Sequence, residues 1–214
     1  MNIQIPKVIE EHLRFARRAP SHVSKQILLS DLLKNLFNIS LEDIILGIEK
    51  DLKSSVKGFR GKTDLLYQNI IFEVKRNLDI ELEDGERQLK KYFQALHESN
   101  PNLKHIGLIT DCINFIEYIA VIKNDEVTGI RRIGAINLEE INHNDSVLWL
   151  DAILFSKPKI FPKAEDLKFR FGLESPTYNI VLDELEIAWG KIKDMESSKI
   201  KIELWTKNME RDSL

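Results

Sequence analysis

The sequence predicts an α/β fold in which a mixed β-sheet core is flanked by helices and followed by a C-terminal helical extension. The first observation is the order of the apolar patterns: helices, a β-hairpin, a helix and then strands, which is typical of a mixed sheet with helices on both faces. The second is the length, because 214 residues suffice for one sizeable domain with a helical appendage. The third is the composition, 43% hydrophobic and 30% charged, which is typical of a globular chain.

Three helices are predicted before the hairpin. Apolar residues recur at helical spacing in each segment, and Pro20 ends the first of them. Ser40 and Asp43 form a pattern similar to a capping box at the start of the third helix. The predicted segments are residues 7–18, 24–37 and 40–52.

Two apolar runs, residues 63–67 and 70–75, are separated only by Gln68 and Asn69. This spacing predicts a β-hairpin with a two-residue loop. Side chains alternate between the two faces of a strand, so one face of the hairpin is a predicted packing surface. The residues of that face are Leu65, Tyr67, Ile70, Phe72 and Val74.

The opposite face of the predicted hairpin carries charged side chains. Asp64 stands opposite Glu73 in this register, and Lys75 lies two residues further along the same face. Two facing carboxylates destabilise a strand pair by roughly 0.2–1 kcal/mol. The pattern therefore predicts either a cation between the carboxylates or a proton on one of them. Oxygen ligands of this kind favour Mg²⁺.

The chain after the hairpin alternates between predicted helices and strands. An acidic connector is predicted at residues 79–83, then a helix at residues 84–98 on which Gln88 and Tyr92 lie one turn apart. The remaining strands are predicted at residues 105–110, 115–122 and 129–133, and the remaining helices at residues 138–155, 163–171, 177–193 and 197–210. A break near residues 156–162 divides the chain into predicted domains at residues 1–156 and 157–214.

Charge and composition restrict the possible classes of protein. The formal net charge of −3 argues against a stand-alone, high-affinity nucleic-acid binder. It does not exclude local basic patches on the surface. Cys112 is the single cysteine, which excludes an intrachain disulfide and a cysteine-based zinc site. We expect no membrane association and a cytoplasmic location, because the sequence has no membrane-spanning run and no signal-peptide core.

The hairpin residues carry a resemblance. Asp64, followed by Glu73-Val74-Lys75, resembles the signature of the PD-(D/E)XK nuclease superfamily, D…(D/E)-x-K. The stretch Gly58–Asp64 reads Gly-x-Arg-Gly-x-x-Asp as it enters the first strand. Gln88 and Tyr92 are similar to the QxxxY motif beside the nuclease site of type I restriction subunits.

A second resemblance lies in the C-terminal part, where Phe161–Leu167 and Arg170–Gly172 resemble the segment after the nuclease domain of single-chain restriction–modification enzymes of types IIG and ISP. That segment joins the nuclease to an adenine-N6 methyltransferase in such enzymes. The resemblance covers about residues 28–214 and implies a restriction-endonuclease-like sheet core. It also implies a helical coupler at residues 157–214, with double-stranded DNA, a methyltransferase and a target-recognition domain as partners.

The resemblance implies a role for each residue of the hairpin site. Asp64 and Glu73 would hold Mg²⁺, for which Mn²⁺ can substitute, and the backbone carbonyl of Val74 would be a further ligand. Lys75 would lie near the attacking water and the scissile phosphate, with a pKa that a bound cation and partial burial are both expected to lower. Gln88 would bind a metal-bound water or the phosphate backbone.

Other residues around the hairpin are assigned by position. Glu49 could contribute to a second metal or orient a water, and Glu42 competes with it for that role. Five residues around one edge of the hairpin are expected to contact the phosphates that flank the cut: Lys57, Arg60, Lys62, Arg76 and Tyr92.

Three other interpretations stay open at this level. The charged residues could form a solvated hairpin face with a cross-strand ion pair. The fold could be kept as a DNA-binding or interaction module without cleavage. The chain could also be a junction resolvase or a repair nuclease of the same superfamily.

Overall fold

The computed structural model describes residues 5–47, 51–53, 60–154, 172–173, 175, 178–195 and 199. The chain divides into two compact units, Met1–Pro176 and Thr177–Leu214. Three predictions fall outside the described residues. They are the domain boundary between residues 156 and 157, the helix over residues 163–171, and nearly all of the helix over residues 197–210. Among the described helices, none is long and apolar enough to cross a membrane.

The first unit contains a five-stranded mixed sheet flanked by helices, which confirms the predicted α/β class. The described helices are α1 (Ile5–Ala16), α2 (His22–Phe37), α3 (Leu41–Gly47), α4 (Leu78–Ser99), α5 (His143–Leu154) and, in the second unit, α6 (Tyr178–Ile192). The strands are β1 (Asp51–Lys53), β2 (Arg60–Lys62), β3 (Leu65–Tyr67), β4 (Ile70–Val74), β5 (Ile106–Thr110), β6 (Asn114–Lys123) and β7 (Glu126–Asn137).

The sheet has the order β3-β4-β5-β6-β7, in which only the β4–β5 pair is parallel. Strands β1 and β2 form a separate antiparallel pair. Helix α4 connects the parallel strands β4 and β5, as such a pair requires a crossover. This connection lays α4 against the sheet beside the end of the hairpin.

The hairpin has the register that the sequence predicts. Leu65 pairs with Phe72 and Tyr67 pairs with Ile70, so the loop contains two residues. Gln68 takes up a left-handed conformation with φ 54°, which the tight turn requires. One further step in this register places Asp64 opposite Glu73.

The charged face of the hairpin is packed rather than solvated, and this excludes the interpretation of a solvated cross-strand ion pair. All five residues of β4 are buried. Ile71, which shares a face with Glu73, packs in a cluster with Leu89 and Phe93 of α4. Glu73 and Lys75 are therefore only 2% and 6% exposed.

Helix α4 begins earlier than predicted, because the acidic segment 79–83 is helical rather than a connector. Asn77 caps the helix by accepting a hydrogen bond from the Asp79 amide at 2.8 Å. Asp79 and Glu81 lie in the first turn, where carboxylates interact favourably with the helix dipole.

Two further boundaries differ from prediction. The described part of the third helix is Leu41–Gly47, and Leu52, which the sequence predicts within that helix, belongs to β1. The last strand continues to Asn137, four residues beyond its predicted end, and α5 begins only at His143. The strand is longer than predicted because β7 pairs with β6 along its whole length, from Glu126 to Asn137.

Candidate active site

Asp64 lies directly before β3 and is held by both the hairpin and α2. Its Oδ2 accepts a short hydrogen bond from the Val74 amide at 2.6 Å and lies 3.1 Å from His22 Nε2. Its Oδ1 accepts a hydrogen bond from Gln26 Nε2 at 2.9 Å. These bonds fix the carboxylate at the end of β4, next to Glu73.

Glu73 is buried with one carboxyl oxygen unpaired. Oε1 lies 2.8 Å from the Lys75 ammonium. Oε2 is buried and has no well-formed hydrogen bond from the described residues, although the Tyr92 hydroxyl lies near the Glu73 carboxyl group. Burial, together with the nearby Asp64 carboxylate, raises the pKa of Glu73 to about 7, against the lowering effect of Lys75. An unpaired buried carboxylate oxygen is costly, so this position calls for a proton or a cation.

Lys75 is bound between two carboxylates. Its Nζ lies 2.8 Å from Glu73 Oε1 and 2.8 Å from Asp84 Oδ2. Burial alone would lower the pKa of this ammonium, but the hydrogen bonds to Asp84 and Glu73 outweigh burial and raise the pKa. Burial does favour a lower pKa, as expected, but in the chain by itself the two hydrogen bonds reverse this effect and the residue stays charged.

Asp84 is a member of the site that the sequence did not reveal. It accepts hydrogen bonds from Lys75, from Arg87 at 3.1 Å and from Gln88 at 2.8 Å. The bonds from Lys75 and Arg87 lower the pKa of Asp84 to about 2. A signal was present: Asp84, Gln88 and Tyr92 are spaced four residues apart, so they form one stripe on the helix predicted over residues 84–98.

Gln88 and Tyr92 continue this stripe. Gln88 donates to Asp84 Oδ2 at 2.8 Å, and its Oε1 lies 3.4 Å from the Tyr92 hydroxyl. The Tyr92 hydroxyl donates to the Lys62 carbonyl at 2.7 Å, and burial raises the pKa of Tyr92, so the hydroxyl stays protonated. Tyr92 is only 5% exposed, so its hydroxyl joins α4 to β2 and lies near the carboxyl groups of Glu73 and Asp64, which add to the raised pKa.

His22 and Gln26 are the other site residues that the sequence did not reveal. They lie one turn apart on α2 and contact Asp64, which is 42 and 38 residues away in the chain. The hydrogen bond to Asp64 is the main cause that raises the pKa of His22, with a smaller contribution from the backbone of Val74. No local pattern in the sequence indicates this contact.

The predicted DNA contacts are placed only in part. Lys57 lies outside the described residues, and of Arg60 only the backbone, in β2, is described. Lys62 is exposed on the same strand. Arg76 forms an ion pair with Glu81 at 2.7 Å, so a phosphate contact would require this pair to open.

The two candidates for the upstream carboxylate are Glu49 and Glu42. Glu49 lies outside the described residues, and Glu42 is exposed in the first turn of α3. The two predicted carboxylates of the hairpin, in contrast, are both placed at the end of β4.

The donor atoms at the end of β4 fit a hard cation. Among the described residues, no group of three or more His, Cys, Asp or Glu is arranged to hold a metal ion. Asp64 and Glu73 are a pair, however, and Mg²⁺ commonly binds through one or two carboxylates together with water and phosphate. The unpaired Oε2 of Glu73 is the atom that such a cation would satisfy.

No protein-family model, no curated protein and no solved structure matches this chain. The resemblance to the PD-(D/E)XK nucleases therefore rests on the motif residues themselves. The hairpin register, the burial of Glu73 and the contacts of Lys75 are the structural observations that bear on it.

Proposed function

We propose that this chain is a metal-dependent DNA endonuclease domain that hydrolyses phosphodiester bonds. The observation that carries this proposal is the convergence of Asp64, Glu73 and Lys75 at the end of β4, with one buried Glu73 oxygen left unpaired. A structural ion pair explains one oxygen of Glu73 but leaves the other without a partner. A cation bound by Asp64 and Glu73 would give both oxygens of Glu73 a partner.

Asp64 and Glu73 are the residues that would hold Mg²⁺ or Mn²⁺, with the Val74 carbonyl as a further ligand by resemblance. When bound, such a cation neutralises a phosphate oxygen and lowers the pKa of a water molecule. The chain itself contributes the alignment of the carboxylates. Asp64 is fixed by three contacts, and Glu73 is enclosed between the sheet and α4.

Lys75 contributes positive charge rather than a base. Its ammonium is held by Asp84 and Glu73, which raise its pKa, so it stays protonated at neutral pH. A fixed ammonium beside the scissile phosphate stabilises the negative charge that develops in the transition state. Asp84 keeps this ammonium in place.

The biological setting is a second part of the proposal. The resemblance of Phe161–Leu167 and Arg170–Gly172 supports a nuclease domain within a single-chain restriction–modification enzyme. We propose double-stranded DNA as the substrate. A methyltransferase and a target-recognition domain would select the sequence, because the sequence of this chain shows no recognition helix.

The test is incubation of supercoiled plasmid with the wild-type chain in Mg²⁺, in Mn²⁺ and in chelator. We expect nicked and linear products only with a divalent cation. Asp64→Ala should reduce the rate by about 100-fold or more, since an electrostatic contribution to the transition state is lost. Asp79→Ala removes an exposed carboxylate from α4 and serves as the matched control, with an unchanged rate.

The same assay separates the alternatives. An intact plasmid in all reactions, with a gel shift for the wild type, supports a DNA-binding module without cleavage. Cleavage of a four-way junction in preference to a linear duplex supports a junction resolvase. Equal cleavage by the wild type and Asp64→Ala contradicts the proposed site.

A further inference from the structure

Helix α2 contributes two side chains to the candidate site, although it begins before the part of the chain that carries the family resemblance. His22 and Gln26 lie one turn apart on the helix and both contact the Asp64 carboxylate. Neither residue belongs to the motifs around the hairpin. Their placement depends on the tertiary structure alone.

The hydrogen bonds of Asp64 leave room for one more partner. A carboxylate offers about four lone-pair positions. Oδ2 is engaged by Val74 and His22, whereas Oδ1 is engaged by Gln26 alone. Asp64 is therefore held by three donors and retains acceptor capacity on Oδ1.

The position of α2 is itself fixed by a buried lysine. Lys25 is only 4% exposed, and its ammonium donates to the Ala16 carbonyl at 2.8 Å and to the Asp111 carbonyl at 2.7 Å. Asp111 directly follows β5, which is the parallel neighbour of β4. These bonds anchor α2 to the end of the sheet at which Glu73 lies.

We propose that His22 and Gln26 are positioning residues that orient the Asp64 carboxylate for a divalent cation shared with Glu73. The cation site itself rests on the proposed function. Hydrogen-bonded partners of a ligating carboxylate typically change metal affinity by roughly 10–100-fold when they are removed. If α2 instead covered Asp64 and competed with the cation, removing either side chain would strengthen cation binding.

The test measures Mn²⁺ binding directly, by the electron paramagnetic resonance signal of free Mn²⁺. Gln26→Ala and His22→Ala should each weaken Mn²⁺ binding by about 10-fold or more. Ile27→Ala is the matched control, because Ile27 is adjacent on α2 and 57% exposed. It should bind Mn²⁺ like the wild type, and thermal unfolding without metal checks that all variants are folded.

Plasmid cleavage then shows how the two residues act. A positioning residue acts through Asp64, so saturating Mn²⁺ should restore most of the cleavage rate in Gln26→Ala and His22→Ala. Asp64→Ala should not be restored. A merely structural role would not make the defect depend on the Mn²⁺ concentration.

Each other outcome has a definite meaning. Unchanged or tighter Mn²⁺ binding in both folded α2 variants overturns the inference, and wild-type cleavage under the same conditions leaves the nuclease proposal intact. A similar loss in Ile27→Ala also overturns it. If the wild type binds Mn²⁺ but does not cleave DNA, the nuclease proposal fails and the variants still decide the inference. If the wild type binds no Mn²⁺, both fail.

Discussion

Glu117 lies on β6, between β5 and β7, and gives a sharp test of the packing there. It is 0% exposed on β6, and neither carboxyl oxygen has a hydrogen-bond partner among the described residues. A Cβ at Gly134 would lie 2.9 Å from Glu117 Oε2 and 3.3 Å from the Trp149 ring, so the glycine leaves space for the carboxyl group. Burial alone raises the pKa of Glu117 to about 8.

The raised pKa sets the direction and size of a pH effect. The folded chain holds the Glu117 proton with a pKa of about 8, and an ordinary glutamate has a value of 4.5. Below the lower value both states are protonated and the full stability is present. Above it the unfolded chain loses its proton first, so the free energy of unfolding falls by about 1.4 kcal/mol per pH unit. Between about pH 5 and pH 7.5 the loss is about 3 kcal/mol.

The perturbation is Glu117→Gln, which keeps the side-chain volume and removes the ionisation. Urea unfolding of the wild type and the variant across this pH range gives the difference in unfolding free energy at each pH. We expect the wild type to lose stability relative to the variant as the pH rises. A constant difference would refute the burial of an ionisable Glu117, whatever the absolute stability of the variant.

Two substitutions on α4 test the contacts of this helix with Lys75 and with β2. Gly85→Ala would place a Cβ 3.0 Å from Ile109 and 3.2 Å from Lys75, so we expect a loss of about 1–3 kcal/mol in thermal unfolding and slower plasmid cleavage. Unchanged stability would contradict this close contact. Tyr92→Phe removes the hydroxyl bonded to the Lys62 carbonyl and should cost about 1 kcal/mol in urea unfolding with nearly unchanged cleavage. A loss of cleavage at unchanged stability would instead give Tyr92 a direct role.

The hairpin could be predicted from sequence because its determinants are local. A two-residue loop and a period of two in the side chains fix which residues face each other, and Leu65 pairs with Phe72 as that pattern requires. The position of Asp64 opposite Glu73 follows from the same rule. The order of elements likewise sufficed for the α/β class.

The remainder of the site depends on contacts that are distant in sequence. Burial of Glu73 arises because α4 folds over the sheet, and the contacts of His22 and Gln26 span about forty residues. The start of α4 was misplaced because an acidic segment resembles a connector, while its cap at Asn77 is a single polar residue. Asp84 is the first residue of the helix predicted over residues 84–98, and its contact with Lys75 depends on how α4 packs against the sheet.

The most direct measurement of the proposed activity compares Glu73→Gln with Glu83→Gln in Mg²⁺-dependent plasmid cleavage. Both changes replace a carboxylate by an amide of the same size, but Glu73 is buried at the site whereas Glu83 is exposed on α4. We predict that Glu73→Gln lowers the cleavage rate by about 100-fold or more and that Glu83→Gln cleaves like the wild type. Equal rates for the two variants would contradict a catalytic centre at the end of β4.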